Sequence, residues 1–225
     1  MTQQPAETGI RVLAVAAHTG DALVGAGATL LAHHATHDHV EVVTLAGDEH
    51  APSHGSAAHD AAALGAVGST GGLLPCTIPP DGPSVAFLAQ VIERTAPDVI
   101  YTHSEHDHDP DHRNTHRAVL AAARGVTSVY CFEMPMTTAG FTPSRFVDAD
   151  EQMQAKLRLL AQQPAGAPCA NLHPQLLTRT ARHWARAESS TYVEPLEVAA
   201  ERPGSARTGM AESATGAAAR VLVTV

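Results

Sequence analysis

Short apolar runs alternate with amphipathic or Ala-rich stretches along most of the chain. Arg11–Ala17 (RVLAVAA) is continuously apolar and closed by His-Thr-Gly-Asp, which predicts a buried strand. Ala22–His37 predicts a helix with Asp21 as its cap. Glu41–Leu45 (EVVTL) predicts a second strand, Ser53–Leu64 an Ala-rich helix ended by Gly65, and Gly72–Leu74 a short third strand. Ser84–Thr95 places Val85, Leu88, Val91 and Ile92 on one helical face. After Pro97-Asp98 come a fourth strand, Val99–His103, a helix, Asp111–Arg124, a fifth strand, Ser128–Phe132, and a helix, Asp150–Gln163. Beyond Pro164 the pattern weakens. Arg179–Ala187 reads as helical, Ala199–Ala219 as a loop or loose linker, and Arg220–Val225 as a strand-like end.

The alternation implies an α/β fold: a Rossmann-like sandwich with a mainly parallel sheet, in a single domain. The expected domain covers residues 10–197, with 198–225 an Ala/Gly/Ser-rich extension ending in a strand. With strand order 3-2-1-4-5, the crevice where such folds bind ligands lies beyond the carboxyl ends of strands 1 and 4. Two polar, His-rich segments directly follow those strands and should meet there.

Composition narrows the partners. The 225 residues are 44% hydrophobic, enough for one sizeable core. A formal charge of −9 argues against a nucleic-acid backbone as partner. No stretch has the length and apolarity of a membrane span, and Met1–Gly9 is polar. The three cysteines, Cys76, Cys131 and Cys169, are scattered, which suggests buried thiols in a reducing compartment. The expectation is a cytoplasmic protein acting on a small molecule. Its 15 histidines raise the question of metal.

The chemistry concentrates in Ala17-His18-Thr19-Gly20-Asp21 and in Asp107-His108-Asp109-Pro110-Asp111-His112-Arg113. A catalytic zinc takes three protein ligands from His, Asp, Glu or Cys and keeps a position open. His18, Asp21 and His112 supply such a set. Asp111 would hold an imidazole from behind or orient the helix start, with Arg113 in a supporting role.

These segments resemble the PIG-L/LmbE family of metal-dependent N-deacetylases. AHTGDALVGAGAT (Ala17–Thr29) is similar to the family's A-H-P-D-D-x-E-x-x-x-G-G-T, and DHDPDHR (Asp107–Arg113) to its D-x-H-P-D-H-R. VVTLAGDE (Val42–Glu49), Leu64-Gly65, Pro80-Asp81-Gly82, APDVIYTH (Ala96–His103), PSRFVDAD before Lys156, and YVEPL (Tyr192–Leu196) follow in the family's order. The resemblance implies one divalent metal on His18, Asp21 and His112, zinc first, that activates water and polarises an amide carbonyl; two His and one carboxylate are also a ligand set of iron(II). The implied substrate is an amino sugar or another N-acylated small molecule.

The chain departs from the family where protons are handled. The general base, the first Asp of the family's pair, is Gly20 here; the His of the H-P-D-H stretch is Asp109; the following Glu is Leu23. The Arg and Glu expected on the second helix are not evident near Ser53 and Ser56. A positioned base contributes roughly 10²–10⁴-fold, so its loss alters the mechanism. Asp109, His108, His106 and Glu105 are the candidates to replace it, against the plainer reading of each as a solvated loop residue. Two rivals follow: a non-hydrolytic metal enzyme (acyl transfer, cyclisation, elimination or iron chemistry) and a non-catalytic metal-binding protein. Elsewhere the plain readings are preferred. His33 and His37 share what reads as a solvated helix face, Gly25 and Gly27 serve close packing, and Cys131 packs in a strand. Tyr192 and Glu194 suit either pocket or packing.

Overall fold

The structure, a computed structural model, describes residues 9–47, 57–124, 128–163, 169, 172–186 and 188–201, and the backbone of 210–211 and 219–221. Its elements in chain order are β1 (Arg11–His18), α1 (Asp21–Ala35), β2 (His39–Ala46), α2 (Ala57–Ala63), β3 (Val67–Leu73), α3 (Pro83–Thr95), β4 (Val99–His103), α4 (Pro110–Ala122), β5 (Ser128–Phe132), β6 (Arg145–Asp148), α5 (Met153–Ala161), α6 (Pro174–Ala185), β7 (Val193–Ala200), β8 (Met210–Ala211) and β9 (Ala219–Val221).

One sheet holds all the described strands, in the order β3-β2-β1-β4-β5-β7-β6-β9-β8. The first five are mutually parallel, in the order the sequence implied. Alternation along β1 divides the core. Val12, Ala14 and Ala16 face Leu23 and Leu30 of α1 and Ala61 of α2. Leu13, Val15 and Ala17 face Leu88, Val91 and Ile92 of α3 and Val119 of α4. Apolar side chains on both pleat faces are what a parallel strand covered by helices on each side requires.

Several elements differ from the sequence reading. β3 starts at Val67 rather than Gly72. It is the edge strand, and its Gly-Ser-Thr-Gly stretch lacks the apolar pattern of a buried one. β6 and β7 were not anticipated; β7 runs antiparallel to both β5 and β6. Pro195 within β7 disguised it, because proline in an apolar run argues against a strand. Asp21 is the first residue of α1, not its cap; Gly20, at φ 90°, holds the cap position. His33 does not lie on a solvated face. It is buried, with Nδ1 2.7 Å from Asp38 Oδ2 and Nε2 3.0 Å from Tyr101 OH. Ser53 and Ser56 lie outside the described residues. β7 crosses the expected boundary at 197, and β9 pairs with β6, so the backbone of 219–221 joins the same sheet. No helix among the described residues is long and apolar enough to cross a membrane.

One internal device shapes the site's surroundings. α1 breaks at Ala26, which has φ −130° and ψ 21°. Two buried charges from distant elements heal the break. Glu194 of β7 accepts hydrogen bonds from the N–H groups of Ala28 and Thr29 (2.9 and 2.8 Å) and from the Thr29 hydroxyl (2.6 Å). Lys156 of α5 donates to Val24 O (2.6 Å) and to Glu194 (2.7 Å). Glu194 is therefore a structural residue, and each half of α1 keeps its backbone groups paired. Gly25 and Gly27 are packing glycines: a Cβ on Gly25 would collide with the Phe132 ring, and one on Gly27 would crowd Lys156.

Candidate metal centre

The loops after β1 and β4 do meet. β1 ends on His18, Gly20 turns the chain in the left-handed region, and α1 starts with Asp21. The His18 N–H donates to Asp21 Oδ2 at 2.8 Å, closing the turn. Three imidazole nitrogens surround that oxygen: His18 Nδ1, His112 Nε2 and His103 Nε2, each at 3.3 Å. Donor atoms of His18, Asp21 and His112 lie within 4.8 Å of one another.

The far nitrogens of the first two imidazoles each face a carboxylate. His18 Nε2 lies 3.1 Å from Asp111 Oδ2. Asp111 is itself fixed by the N–H groups of Cys76 (2.6 Å) and Ile78 (3.1 Å). His112 Nδ1 lies 3.2 Å from Asp107 Oδ2. Such carboxylate–imidazole pairs set which nitrogen is offered to a metal. The arrangement leaves His18 Nδ1 and His112 Nε2 facing Asp21, so this donor set fits one divalent ion of the zinc or iron type.

The second motif is also a self-built turn. Asp109 caps α4, with Oδ1 accepting from the Asp111 N–H at 2.8 Å, and Pro110 takes the first helical turn. Asp107 Oδ1 accepts from the Asp109 N–H at 2.8 Å. Arg113 donates to the carbonyls of Asp107 (2.5 Å) and His108 (2.8 Å), tying the loop to the helix. Its support is to backbone, not to an imidazole.

The proton-handling candidates separate, and Glu105 is exposed. Asp109 Oδ2 stands 3.9 Å from His112 Nε2 at the partly exposed edge of the cluster. His108 is exposed; its N–H donates to Met136 O at 3.1 Å. The His106 ring lies against Gly140. Neither of these rings hydrogen-bonds or ion-pairs with the cluster.

Two residues of the cluster escaped the sequence reading. His103, at the end of β4, is fully buried, stacks on His112 with centroids 4.0 Å apart, and accepts the Ala17 N–H at 2.9 Å. Asp107 supports His112. Asp107 opens the second motif and was available to the reading. A lone His at a strand end carries no spacing signal.

Electrostatics bind the cluster together. Burial opposes ionisation of Asp21, but His103, His112 and His18 hold its carboxyl well below the usual range. Burial likewise opposes the charge on His112, yet Asp107 and Asp21 push its pKa up to about 10. The His18 pKa is raised against burial by Asp21 and Asp111. Burial, then the neighbouring His112, brings His103 down to about 4 and keeps it neutral. A region that holds protons this way without an ion exchanges them for one when an ion binds.

Position 20 is closed to a side chain. Gly20 has φ 90°, and a Cβ there would collide with Cys169 Sγ. Cys169 is buried, and none of the three cysteines is in a disulfide. The room an aspartate would need is filled by a thiol.

Comparison with known proteins bears on the fold and on the segment that carries the second motif. Residues 82–123, spanning α3, β4 and the second motif, match the family model described as PIG-L, GlcNAc-PI de-N-acetylase. Among curated proteins no sequence match was found. Solved structures share the fold. N,N'-diacetylchitobiose deacetylase from Pyrococcus horikoshii superposes with TM-score 0.70 at 16% identity, over 87% of this chain and 86% of that one. The zinc-inhibited form of teicoplanin deacetylase Orf2 gives 0.66 at 19%, over 84% and 98%. The 4-carboxy-2-hydroxymuconate hydratase from Pseudomonas putida gives 0.64 at 22%, over 85% and 96%. Matched segment and shared fold bear out the resemblance read from the sequence.

Proposed function

We propose that this chain, of the PIG-L/LmbE type, is a metal-dependent hydrolase that removes an acyl group from the nitrogen of a small molecule or amino sugar. One observation carries the reading. His18, Asp21 and His112 converge within 4.8 Å, and His18 and His112 are backed by Asp111 and Asp107. These three residues would hold the ion, zinc before iron(II). When bound, a divalent metal there supplies Lewis acidity toward a carbonyl oxygen and makes water nucleophilic at neutral pH.

The chain's own residues handle the rest. Asp109 spends Oδ1 on the helix cap and keeps Oδ2 toward the cluster, 3.9 Å from His112 Nε2. It takes the proton of the attacking water and returns it to the departing nitrogen. A C–O bond forms, the amide C–N bond breaks, and a carboxylate and an amine leave. His103 packs flat on His112 and shields that side of the cluster from water. His106 and His108 have no part in this scheme. Amine release from a panel of N-acyl sugars and amines tests it. Turnover should be lost when the protein is stripped of metal, return with zinc, and fall roughly 10²-fold or more in Asp109→Asn. Turnover by the metal-free protein, or an unaffected Asp109→Asn variant, would contradict it.

One feature favours a second reading. Position 20 lacks the carboxylate that a deacetylase of this type uses, and Cys169 fills its room. The Pseudomonas putida protein of this fold is named a hydratase, so the scaffold carries non-hydrolytic chemistry elsewhere. A metal-dependent addition or elimination on a small acid would release no amine. Product analysis separates the two, and iron with oxygen dependence would mark a third chemistry.

A further inference from the structure

A cavity of about 110 Å³ lies between α1, α5, α6 and β7, and none of His18, Asp21 and His112 lines it. It is a space of its own. Its link to the metal centre through Thr137 is indirect: Thr137 lines the cavity, and its hydroxyl donates to Asp107 Oδ2 at 3.3 Å. Pro135 and Leu176, both exposed, are among the lining residues, so the cavity is reachable from solvent.

Its walls are mixed. Met134, Met153, Leu177 and Val193 give apolar surface, while Glu133, Thr180, Lys156 and Glu194 give polar groups. The charges among these do not balance. Lys156 and Glu194 pair at 2.7 Å, and the Lys156 ammonium also donates to Val24 O, so that pair is neutral and satisfied. Glu133 is different. Its Oε2 accepts from Trp184 Nε1 at 2.7 Å. Among the described residues no basic side chain pairs with Glu133, and nothing donates to its other oxygen. Arg186 stands over the Trp184 ring but donates to His183 O. Burial pushes the Glu133 carboxyl up, opposed only by the Trp184 hydrogen bond. A carboxylate taken out of water this way is costly until a cation joins it.

We infer that this cavity binds a small primary alkylammonium ion, with its charge on Glu133 and its stem along Met134, Met153, Leu177 and Val193. The inference does not depend on the deacylase reading. Apolar cavities of roughly 150 Å³ take a benzene ring, so this smaller one suits a stem of about three or four carbons. A hydrogen bond to a charged group should favour the ammonium over a neutral analogue about 10- to 100-fold. Each methylene moved from water into the cavity should tighten binding about threefold to fourfold.

Trp184 is the only tryptophan and is bonded to Glu133, so it reports on the cavity directly. Its fluorescence is followed at pH 7 while ethyl-, butyl- and hexylammonium, butan-1-ol and butyrate are titrated in, with zinc and without. Butylammonium should bind about 10- to 100-fold more tightly than butan-1-ol, and butyrate more weakly still. Affinity should climb about tenfold from ethyl to butyl and then level off. Calorimetry on Glu133→Gln, where the Trp184 contact itself changes, should show the preference for ammonium gone. Ala181→Leu fills the cavity, leaves Glu133 in place and should weaken every amine. Equal binding of butylammonium and butan-1-ol, or a preference that survives in Glu133→Gln, would overturn the inference. Amine binding that Ala181→Leu leaves intact would overturn it too. So would binding seen only with zinc, because the amine would then sit on the metal.

Discussion

Asp111 shows how much of the site hangs on one side chain. It holds His18 Nε2 and is itself held by two backbone N–H groups. Asp111→Asn keeps the shape and removes the charge, so zinc affinity should fall about 10- to 100-fold in a chelator competition. An unchanged affinity would mean that His18 is oriented by something else. Gly20 is the opposite case, a residue defined by what it excludes. Gly20→Asp places a side chain at φ 90° against Cys169, so urea melts should show a loss. Gly20→Asp with Cys169→Ala removes the collision with Sγ but keeps a tight approach to the Cβ of residue 169 (3.1 Å) and a left-handed backbone cost of about 1–2 kcal/mol. The double variant should therefore be more stable than Gly20→Asp and less stable than Cys169→Ala. At this scale the sequence was legible where residues come in spaced groups. His18, Asp21, Asp111 and His112 could be read from two short motifs. His103 could not, because a single histidine at the end of an apolar strand carries no spacing signal, even with β4 expected beside β1.

Among the elements, α1 depends most on distant partners. Its break at Ala26 is bridged by Lys156 of α5 and Glu194 of β7, both buried. Removing one partner strands a buried charge. Lys156→Met should cost about 3–5 kcal/mol, while Lys156→Met with Glu194→Gln should cost less than the sum of the two single changes. Urea unfolding of the four proteins measures it, and strict additivity would contradict the pairing. The sequence showed a helix here through its apolar content. It did not show the break, since Gly25-Ala26-Gly27 is compatible with both. β1, β2, β4 and β5 were legible because buried parallel strands are uninterrupted apolar runs. β7 was not, because Pro195 interrupts it and the antiparallel pairing with β5 and β6 that accommodates it is tertiary.

For the whole molecule, the clustered imidazoles make stability depend on pH. In the metal-free protein His112 is raised from 6.5 to about 10, so its contribution is complete below pH 6.5 and is lost as pH rises through about 10. His103 is depressed from 6.5 to about 4, so its contribution is present above pH 6.5 and is lost as pH falls toward 4. Metal-free protein should therefore be most stable near pH 6.5, and thermal melts across pH 4–10 would show it. Zinc replaces the proton on His112, so the alkaline loss should shrink when zinc is present, and zinc affinity should rise with pH. A flat alkaline limb in the metal-free protein would contradict the charge network described for His112. The strand order 3-2-1-4-5, readable from the alternation of elements, is what brings the two loops together at this scale.

The most direct test of the central claim is the metal content of the purified protein, measured together with His18→Ala and His112→Ala. Near-stoichiometric zinc that is lost in both variants, with the fold retained, is the predicted result. Metal absent from every sample after zinc loading, or retained in both variants, would contradict a metal centre built on His18, Asp21 and His112.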